Sequence, residues 1–240
     1  MSQRRRVVAV LAVVGAVTVQ CTTRPSPPTS TPSSANTSGT APSSAAPVAG
    51  PPPAPSGQPA TVHPVTAADL GTTWRPECPV APASLRRVEL DYLGFDGGTH
   101  RGQLVVHEDV VDDVIAIFDD LERLRYPIEK IRTVENYPGA QDELSMRDNN
   151  TSAFNCRALG DGWSLHAYGR AVDVNPLVNP YIDADGNLEP TTAARYLDRS
   201  RDDLGLLRAD SPAVRAFTDR GWRWGGAWTD PVDYQHFELP

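Results

Sequence analysis

The sequence predicts an α+β fold in which helices pack on a mainly antiparallel sheet. Apolar residues recur at helical spacing over residues 108–125, which indicates one long amphipathic helix. Residues 87–92 and 103–106 alternate apolar and polar side chains as half-buried strands do, with a turn signal at Asp96-Gly97-Gly98 between them. Strands and helices do not alternate regularly along the chain, which disfavours a parallel β-α-β sheet.

The remaining elements follow from their start and stop signals. Glu108 and Asp109 lie at the positive end of the long helix, and Pro127 stops it. Residues 128–134 then return as a strand. Ser211-Pro212 forms an N-cap with proline in the first turn of a short helix that ends at Gly221. A last strand is predicted over residues 234–239.

The N-terminal residues 1–21 have the layout of a bacterial export signal. Three arginines at 4–6 precede an uncharged, mostly apolar run over 7–19 that is too short for a membrane span. Cys21 follows where a lipoprotein carries its acylated cysteine, although residues 18–20 lack the small residue wanted just before it. Two interpretations therefore stay open: membrane anchoring through a lipidated Cys21, and a plain secreted or uncleaved form.

Residues 22–66 form a second region of distinct composition. They contain 12 of the 23 prolines, and no charged residue lies between Arg24 and Asp69. Such a segment cannot bury enough apolar surface to offset its ordering entropy, so we expect a disordered tether. Residues 67–240 are then one domain, which we expect to be monomeric.

The charge of the chain excludes one class of partner. The formal charge is −8, and the first 24 residues contain four arginines and no acidic residue, so the rest of the chain carries −12. A basic nucleic-acid-binding surface is therefore not expected.

Two cysteines remain if Cys21 is lipidated or removed with the signal. In an exported domain Cys78 and Cys156 most simply form a disulfide. The competing interpretation, Cys156 as a nucleophile, requires a free thiol and a neighbouring base.

The segment Trp163-Ser-Leu-His-Ala-Tyr-Gly-Arg-Ala-Val-Asp contains the first chemical signal, His166 seven residues before Asp173. With 5 histidines and 30 acidic residues in 240, this spacing alone arises about 0.6 times by chance. Gly169, however, permits the tight turn needed for the two side chains to meet, since an uninterrupted strand would place them on opposite faces. The apolar residues on both sides of Asp173 predict a strand with Asp173 facing a cleft.

A second segment, Asp233-Tyr-Gln-His236, completes a candidate zinc site. Two imidazoles and one carboxylate suit Zn²⁺, and three protein ligands leave the fourth tetrahedral position open for water. We propose His166, Asp173 and His236 as those ligands. Asp233 is then free to accept a proton from the attacking water and to pass it to a leaving amine. Because positions 233 and 236 face opposite sides of a regular strand, we expect Asp233 in a bend before the strand, after Pro231.

These motifs resemble the zinc D,D-peptidases of the VanY and VanX type, which include D-Ala-D-Ala carboxypeptidases, dipeptidases and L-Ala-D-Glu endopeptidases. The resemblance is carried by Ser164-x-His166-x-x-Gly169-x-Ala171-x-Asp173 and Asp233-x-x-His236-Phe-Glu238, and it covers residues 144–239. It implies a domain of the Hedgehog and D,D-peptidase type, the same three zinc ligands, and an acid/base role for Asp233. It also implies an upstream arginine that polarises the scissile carbonyl; Arg147 matches that position, with Arg157 as the alternative.

The other candidates have competing structural interpretations. Trp228, after Gly225-Gly226, is predicted to line the substrate groove together with Ser164, whereas Trp222 and Trp224 are expected in the core. His100 and His107 lie far upstream and are treated as structural. Residues 175–187 form a polar excursion that can border the cleft; position 194 is alanine where a calcium loop starting at Asp183 needs a glutamate, so Asp183 to Asn187 is an ordinary turn.

The sequence thus predicts an exported, envelope-associated bacterial zinc peptidase that acts on peptidoglycan stem peptides, foremost as a D-Ala-D-Ala carboxypeptidase. Two alternatives remain. One is an L-Ala-D-Glu endopeptidase. The other is a non-catalytic module that binds the wall or signals and holds zinc only for its fold.

Overall fold

A computed structural model of the protein describes residues 57–160 and 162–240. The export signal predicted over residues 1–21, the lipidation of Cys21 and most of the predicted linker lie outside these ranges. No helix in the described part of the chain is long and apolar enough to span a membrane.

The described residues form four α-helices and thirteen strands, joined by 3₁₀ turns. The helices are α1 (Ala67–Leu70), α2 (Val111–Arg123), α3 (Asp142–Arg147) and α4 (Pro212–Thr218). The strands are β1 (Thr61–Pro64), β2 (Leu85–Leu93), β3 (Thr99–His107), β4 (Lys130–Ile131), β5 (Asn150–Thr151), β6 (Ala158–Leu159), β7 (Gly162–Trp163), β8 (Ala171–Asp173), β9 (Tyr181–Ile182), β10 (Leu188–Glu189), β11 (Arg223–Trp224), β12 (Val232–Asp233) and β13 (His236–Glu238).

The strands form three antiparallel sheets and two smaller pairs. The sheets have the orders β1-β2-β3, β11-β13-β8 and β10-β9-β12. The hairpin β6-β7 is antiparallel and the pair β4-β5 is parallel. The predicted combination of helices with antiparallel sheets is confirmed, while its Hedgehog and D,D-peptidase type stays a prediction.

Helix α2 packs against β2 and α4 and supplies much of the main core. Its buried face consists of Val111, Val114, Ile117, Phe118 and Leu121, as the helical spacing predicted. The helix is shorter than predicted at both ends. Residues 108–110 form a 3₁₀ turn, and Arg125 has a φ of 53°, so the helix ends before Pro127.

The strand predicted over residues 128–134 is wrong for most of its length. Only Lys130–Ile131 is strand, and a 3₁₀ turn begins at Val134. The side chain of Asn150 accepts from the backbone N–H of Arg132 at 2.8 Å and donates to its carbonyl at 2.9 Å. This amide therefore takes the hydrogen bonds that a neighbouring strand would make, and the strand ends at Ile131.

The folded domain begins before residue 67, inside the predicted linker. Thr61–Pro64 form β1, which pairs antiparallel with β2 from Thr61 opposite Glu89 to Pro64 opposite Arg86. Arg101 also donates to the carbonyls of Gln58 and Pro59. This edge strand is exposed along its whole length, so it lacks the buried alternation by which a strand is predicted.

The disulfide between Cys78 and Cys156 is present and joins residues 78 positions apart. It lies in a second, smaller apolar cluster with Val80, Leu85 and Phe154. Because Cys156 directly precedes Arg157, the bridge fixes the chain at the edge of the cleft described next. Cys156 as a free nucleophile is excluded by this bond.

Candidate metal centre

His166 is positioned by a short 3₁₀ helix, Leu165–Tyr168. Ser164 caps this helix, since its Oγ accepts from the backbone N–H of His166 at 3.3 Å. Gly169 ends it with a φ of 69°, and a Cβ at this position would lie 2.6 Å from the backbone nitrogen of His107. The turn predicted at Gly169 is therefore confirmed, and a larger residue would collide with β3.

Asp173 and His236 lie on neighbouring strands. β8 pairs antiparallel with β13, and the register places Asp173 directly opposite His236. Val172 and Val174, on each side of Asp173, are buried in the core, so Asp173 faces the cleft as its strand alternation predicted.

The three side chains converge at one point. His166 Nε2 lies 3.1 Å from Asp173 Oδ2, His236 Nδ1 lies 3.0 Å from Asp173 Oδ1, and the two imidazole nitrogens are 3.1 Å apart. One ligand atom from each residue lies within 4.8 Å of the other two. Both histidines are buried.

Hydrogen bonds on the far side of each imidazole show that this cluster fits a metal ion. His166 Nδ1 lies 2.5 Å from the carbonyl of Ala153, and His236 Nε2 lies 3.1 Å from Glu238 Oε2. The Ala153 carbonyl only accepts, so it takes the proton of His166 on Nδ1. His236 has a carboxylate acceptor at each ring nitrogen, and Glu238 is the one that receives the proton when the neutral ring carries it on Nε2. The lone pairs of the other two nitrogens then point at each other and at Asp173, an arrangement that a shared cation stabilises.

The electrostatics of the cluster lead to the same conclusion. Burial by itself raises the pKa of Asp173, but the imidazoles of His166 and His236 hold this pKa well below its usual value. Burial disfavours a charged His236, yet the hydrogen-bonded carboxylates of Asp173 and Glu238 raise its pKa to about 10. Both shifts favour positive charge where the three side chains converge, and a divalent cation would supply such a charge.

Asp233 lies beside this cluster with one oxygen unpaired. Asp233 is the last residue of β12 and lies opposite Tyr181. The sequence predicted Asp233 inside a bend, but the bend follows it at residues 234–235. Its Oδ1 is buried and has no hydrogen-bond partner among the described residues. Burial, aided by the negative charge of Asp173, raises the pKa of Asp233 to about 6, although the imidazole of His236 opposes the shift. A carboxyl group with this pKa can gain and lose a proton near neutral pH.

Asp173, Asp233 and His236 line a cavity of about 310 Å³. Ser164 and Trp228, the two predicted substrate-binding residues, both line it, and the Trp228 ring lies 5.5 Å from that of His236. Trp222 and Trp224 are buried in the core as predicted. Tyr181 brings the polar excursion to the same cavity, and Glu189, just after the excursion, also lines it. The Asp183 turn is held by its own side chain, which accepts from two backbone N–H groups.

The structure separates the two candidate arginines. Arg157 lines the cavity, and its Nε lies 2.6 Å from Asp142 Oδ2. The side chain of Arg147, at the end of α3, is exposed and is not among the residues that line the cavity. Our first choice for the carbonyl-polarising residue thus lies away from the cluster, and the alternative lies beside it.

The remaining sequence candidates lie outside the cavity. His100 is exposed and pairs with Asp96, and His107 accepts from the backbone N–H of Asp109, so both are structural as expected.

Sequence reasoning missed two polar residues in segments that it had already singled out. Glu238 follows His236 by two positions on β13, and this spacing places both on the same face. That spacing was the available signal for its contact with His236. Gln235 also lines the cavity, although strand alternation would turn it away from His236.

Comparison with known proteins supports the resemblance seen in the motifs. Residues 158–239 match the family model described as D-alanyl-D-alanine carboxypeptidase. The match contains His166, Asp173, Asp233 and His236, and it begins one residue after Arg157. No curated protein and no solved structure matches the chain.

The matched region indicates a hydrolytic peptidase that acts on peptidoglycan. A substrate in the cell wall in turn suggests action outside the cytoplasm.

Proposed function

We propose that the protein is an exported zinc metallopeptidase that removes terminal D-alanine from peptidoglycan stem peptides. The observation that supports this most strongly is the convergence of His166, Asp173 and His236 beside the unpaired carboxylate of Asp233. These three residues would hold the ion, and bound zinc would lower the pKa of a water molecule and polarise the scissile carbonyl.

The protein's own groups perform the proton transfers and stabilise charge. Asp233 accepts the proton of the attacking water and then donates it to the leaving amine, a role that suits a carboxyl group beside the cluster whose Oδ1 has no hydrogen-bond partner among the described residues. Arg157 takes the part first assigned to Arg147, and its guanidinium stabilises the negative charge that develops on the carbonyl oxygen. Asp142 restrains the guanidinium at Nε. Trp228 and Ser164 form part of the wall against which the peptide lies.

The wall-binding or signalling module with a structural zinc is less well supported. A structural zinc is commonly held by four protein ligands, whereas three residues converge in the described part of this chain. An unpaired buried carboxylate is also costly in a site that serves only the fold.

One observation favours the endopeptidase as a second candidate. Five acidic residues line the cavity, whereas its positive groups are the guanidinium of Arg157 and the imidazole of His236. A carboxypeptidase must accommodate the free carboxylate at the end of its substrate, and an acidic cavity repels it. An endopeptidase binds no such group.

The deciding experiment compares two synthetic stem pentapeptides ending in D-Ala-D-Ala, one with a free C-terminal carboxylate and one with an amide. Purified protein is incubated with each, with zinc or with a chelator, and the products are identified by mass spectrometry. A carboxypeptidase removes one D-alanine from the free acid and spares the amide. Cleavage of both peptides between L-Ala and D-Glu would identify the endopeptidase. Intact peptides with zinc-loaded protein would refute both.

Export, and anchoring through a lipidated Cys21, are part of the proposal. They are tested by fractionating cells that express the wild-type chain or Cys21→Ser. A lipid anchor predicts that the substitution moves the protein from the membrane to the soluble envelope or medium.

A further inference from the structure

A bend in the chain directs two consecutive side chains into the cavity. Residues 234–235 form a bend between β12 and β13, and both Gln235 and His236 line the cavity after it. In an uninterrupted strand these neighbours would point to opposite faces. Tyr234 does not line the cavity; it packs against the main core and over Arg199, whose guanidinium lies 4.3 Å from the ring centre.

The carboxamide of Gln235 is buried and only half satisfied. The residue is 2% exposed, and its Nε2 makes one weak contact, 3.5 Å from Met146 Sδ. Its Oε1 is buried without a hydrogen-bond partner among the described residues. Buried polar atoms are nearly always paired in folded proteins, and a methionine would fill this position without the unpaired oxygen. The fold therefore does not account for a glutamine here.

The chemistry of this oxygen indicates what would satisfy it. Oε1 is a neutral acceptor, so its partner must be a donor, and the cavity is the place where a peptide is expected to lie. The N–H of the scissile amide belongs to the leaving amine, which must remain accessible to Asp233. The next donor along the peptide is the N–H of the residue that supplies the scissile carbonyl.

We propose that Gln235 is a substrate-binding residue whose Oε1 accepts a hydrogen bond from that backbone N–H. The inference rests on the proposed peptidase function and goes beyond it, because it assigns the group that fixes the peptide in register. Such a contact selects an amide over an ester at this position, since an ester oxygen has no hydrogen to donate and would face Oε1 with a lone pair.

The test combines a substitution in the protein with one in the substrate. Gln235→Met keeps the size of the side chain and removes the acceptor. The substrate is a stem pentapeptide and its analogue in which an ester replaces the amide on the acyl side of the scissile bond, so that the scissile amide is unchanged. We expect wild-type protein to prefer the amide peptide by about tenfold in kcat/KM. Gln235→Met should lose this preference, mainly through a higher KM.

Two controls separate substrate binding from a structural effect. Zinc content should be unchanged in Gln235→Met, and its melting temperature should be equal or higher, because the variant buries no unpaired oxygen. Gln103→Met, at a glutamine of β3 that donates to Glu89 of β2, should keep the wild-type preference. A Gln235→Met variant that retains the amide preference, or that melts lower and loses activity equally on both peptides, would overturn the proposal.

A binding measurement distinguishes failure of this inference from failure of the proposed function. The same two peptides are titrated calorimetrically into zinc-loaded Asp233→Ala, with and without Gln235→Met. Equal affinities for the amide peptide refute the role of Gln235 alone. If wild-type protein cleaves neither peptide, the proposed function is refuted. If zinc-loaded Asp233→Ala also binds neither peptide, the proposed function and the role of Gln235 are both refuted.

Discussion

Glu238 should control how tightly the site holds zinc, although it is not one of the three ligands. Its Oε2 lies 3.1 Å from His236 Nε2, and its Oε1 lies 2.5 Å from Arg223 Nη2. The first contact keeps the proton on Nε2 and leaves the lone pair of Nδ1 facing Asp173. Without it, the His236 ring can rotate or carry its single proton on Nδ1 instead of Nε2, and either change competes with the metal.

The size of the effect follows from the kind of hydrogen bond that is lost. Glu238 is nearly buried, and a hydrogen bond to a charged group contributes about 1.5–3 kcal/mol. At about 1.4 kcal/mol per factor of ten, Glu238→Leu should weaken zinc binding roughly 10- to 150-fold. Glu238→Gln retains a neutral acceptor and should weaken it by about fivefold. Arg223→Gln leaves the contact between Glu238 and His236 intact and should change the zinc affinity little.

The assay is a competition titration of zinc between the protein and a chelating dye at fixed pH. The three variants should rank in the order Leu, Gln and the Arg223 control, from weakest to strongest binding. A zinc affinity of Glu238→Leu within twofold of wild type would refute the reasoning, because the carboxylate would then not orient the ligand. Melting curves of the metal-free variants check that each domain remains folded.

Three further predictions concern the reaction and the frame of the cleft. Asp233→Ala should retain zinc and lose about 10²–10⁴-fold in kcat by steady-state kinetics; wild-type turnover would contradict its acid/base role. Arg157→Lys should lower kcat/KM at least tenfold while the matched Arg147→Lys leaves it unchanged, and the reverse result would restore the original assignment. Replacing Cys78 and Cys156 by serine removes a disulfide that joins residues 78 positions apart and that contributes about 4.5 kcal/mol to stability on the chain-entropy model. Calorimetry should therefore show a melting temperature about 9–18 °C lower. An unchanged melting temperature would exclude that contribution.

Sequence was most informative where the signal is local. The turn at Gly169 and the burial alternation around Asp173 depend on neighbours in the chain, and both are as predicted. The helix cap at Ser211 is another such case, since its side chain accepts from Val214 at 3.3 Å. Each depends on backbone sterics or on one short-range hydrogen bond, which a few residues suffice to specify.

Sequence was least informative where distant segments meet. The strand predicted over residues 128–134 ends early because Asn150, 18 residues away, binds the backbone of Arg132. The choice between Arg147 and Arg157 depended on how α3 and the chain after the disulfide lie around the cavity, and no local pattern contains that information. β1 was missed for a similar reason, since it is an exposed strand whose place is fixed only by its partner β2.

β13 connects the stability of the domain to the geometry of its site. His236 and Glu238 face the cavity, while Phe237 between them is fully buried and stacks on Phe217 with ring centres 3.8 Å apart. The same strand pairs with β8, which supplies Asp173, and with β11 on its other side. Because side chains alternate along a strand, anchoring Phe237 in the core fixes the direction of both neighbours. The ligand His236, the carboxylate that orients it and the strand register opposite Asp173 are therefore set together by the packing of one three-residue strand.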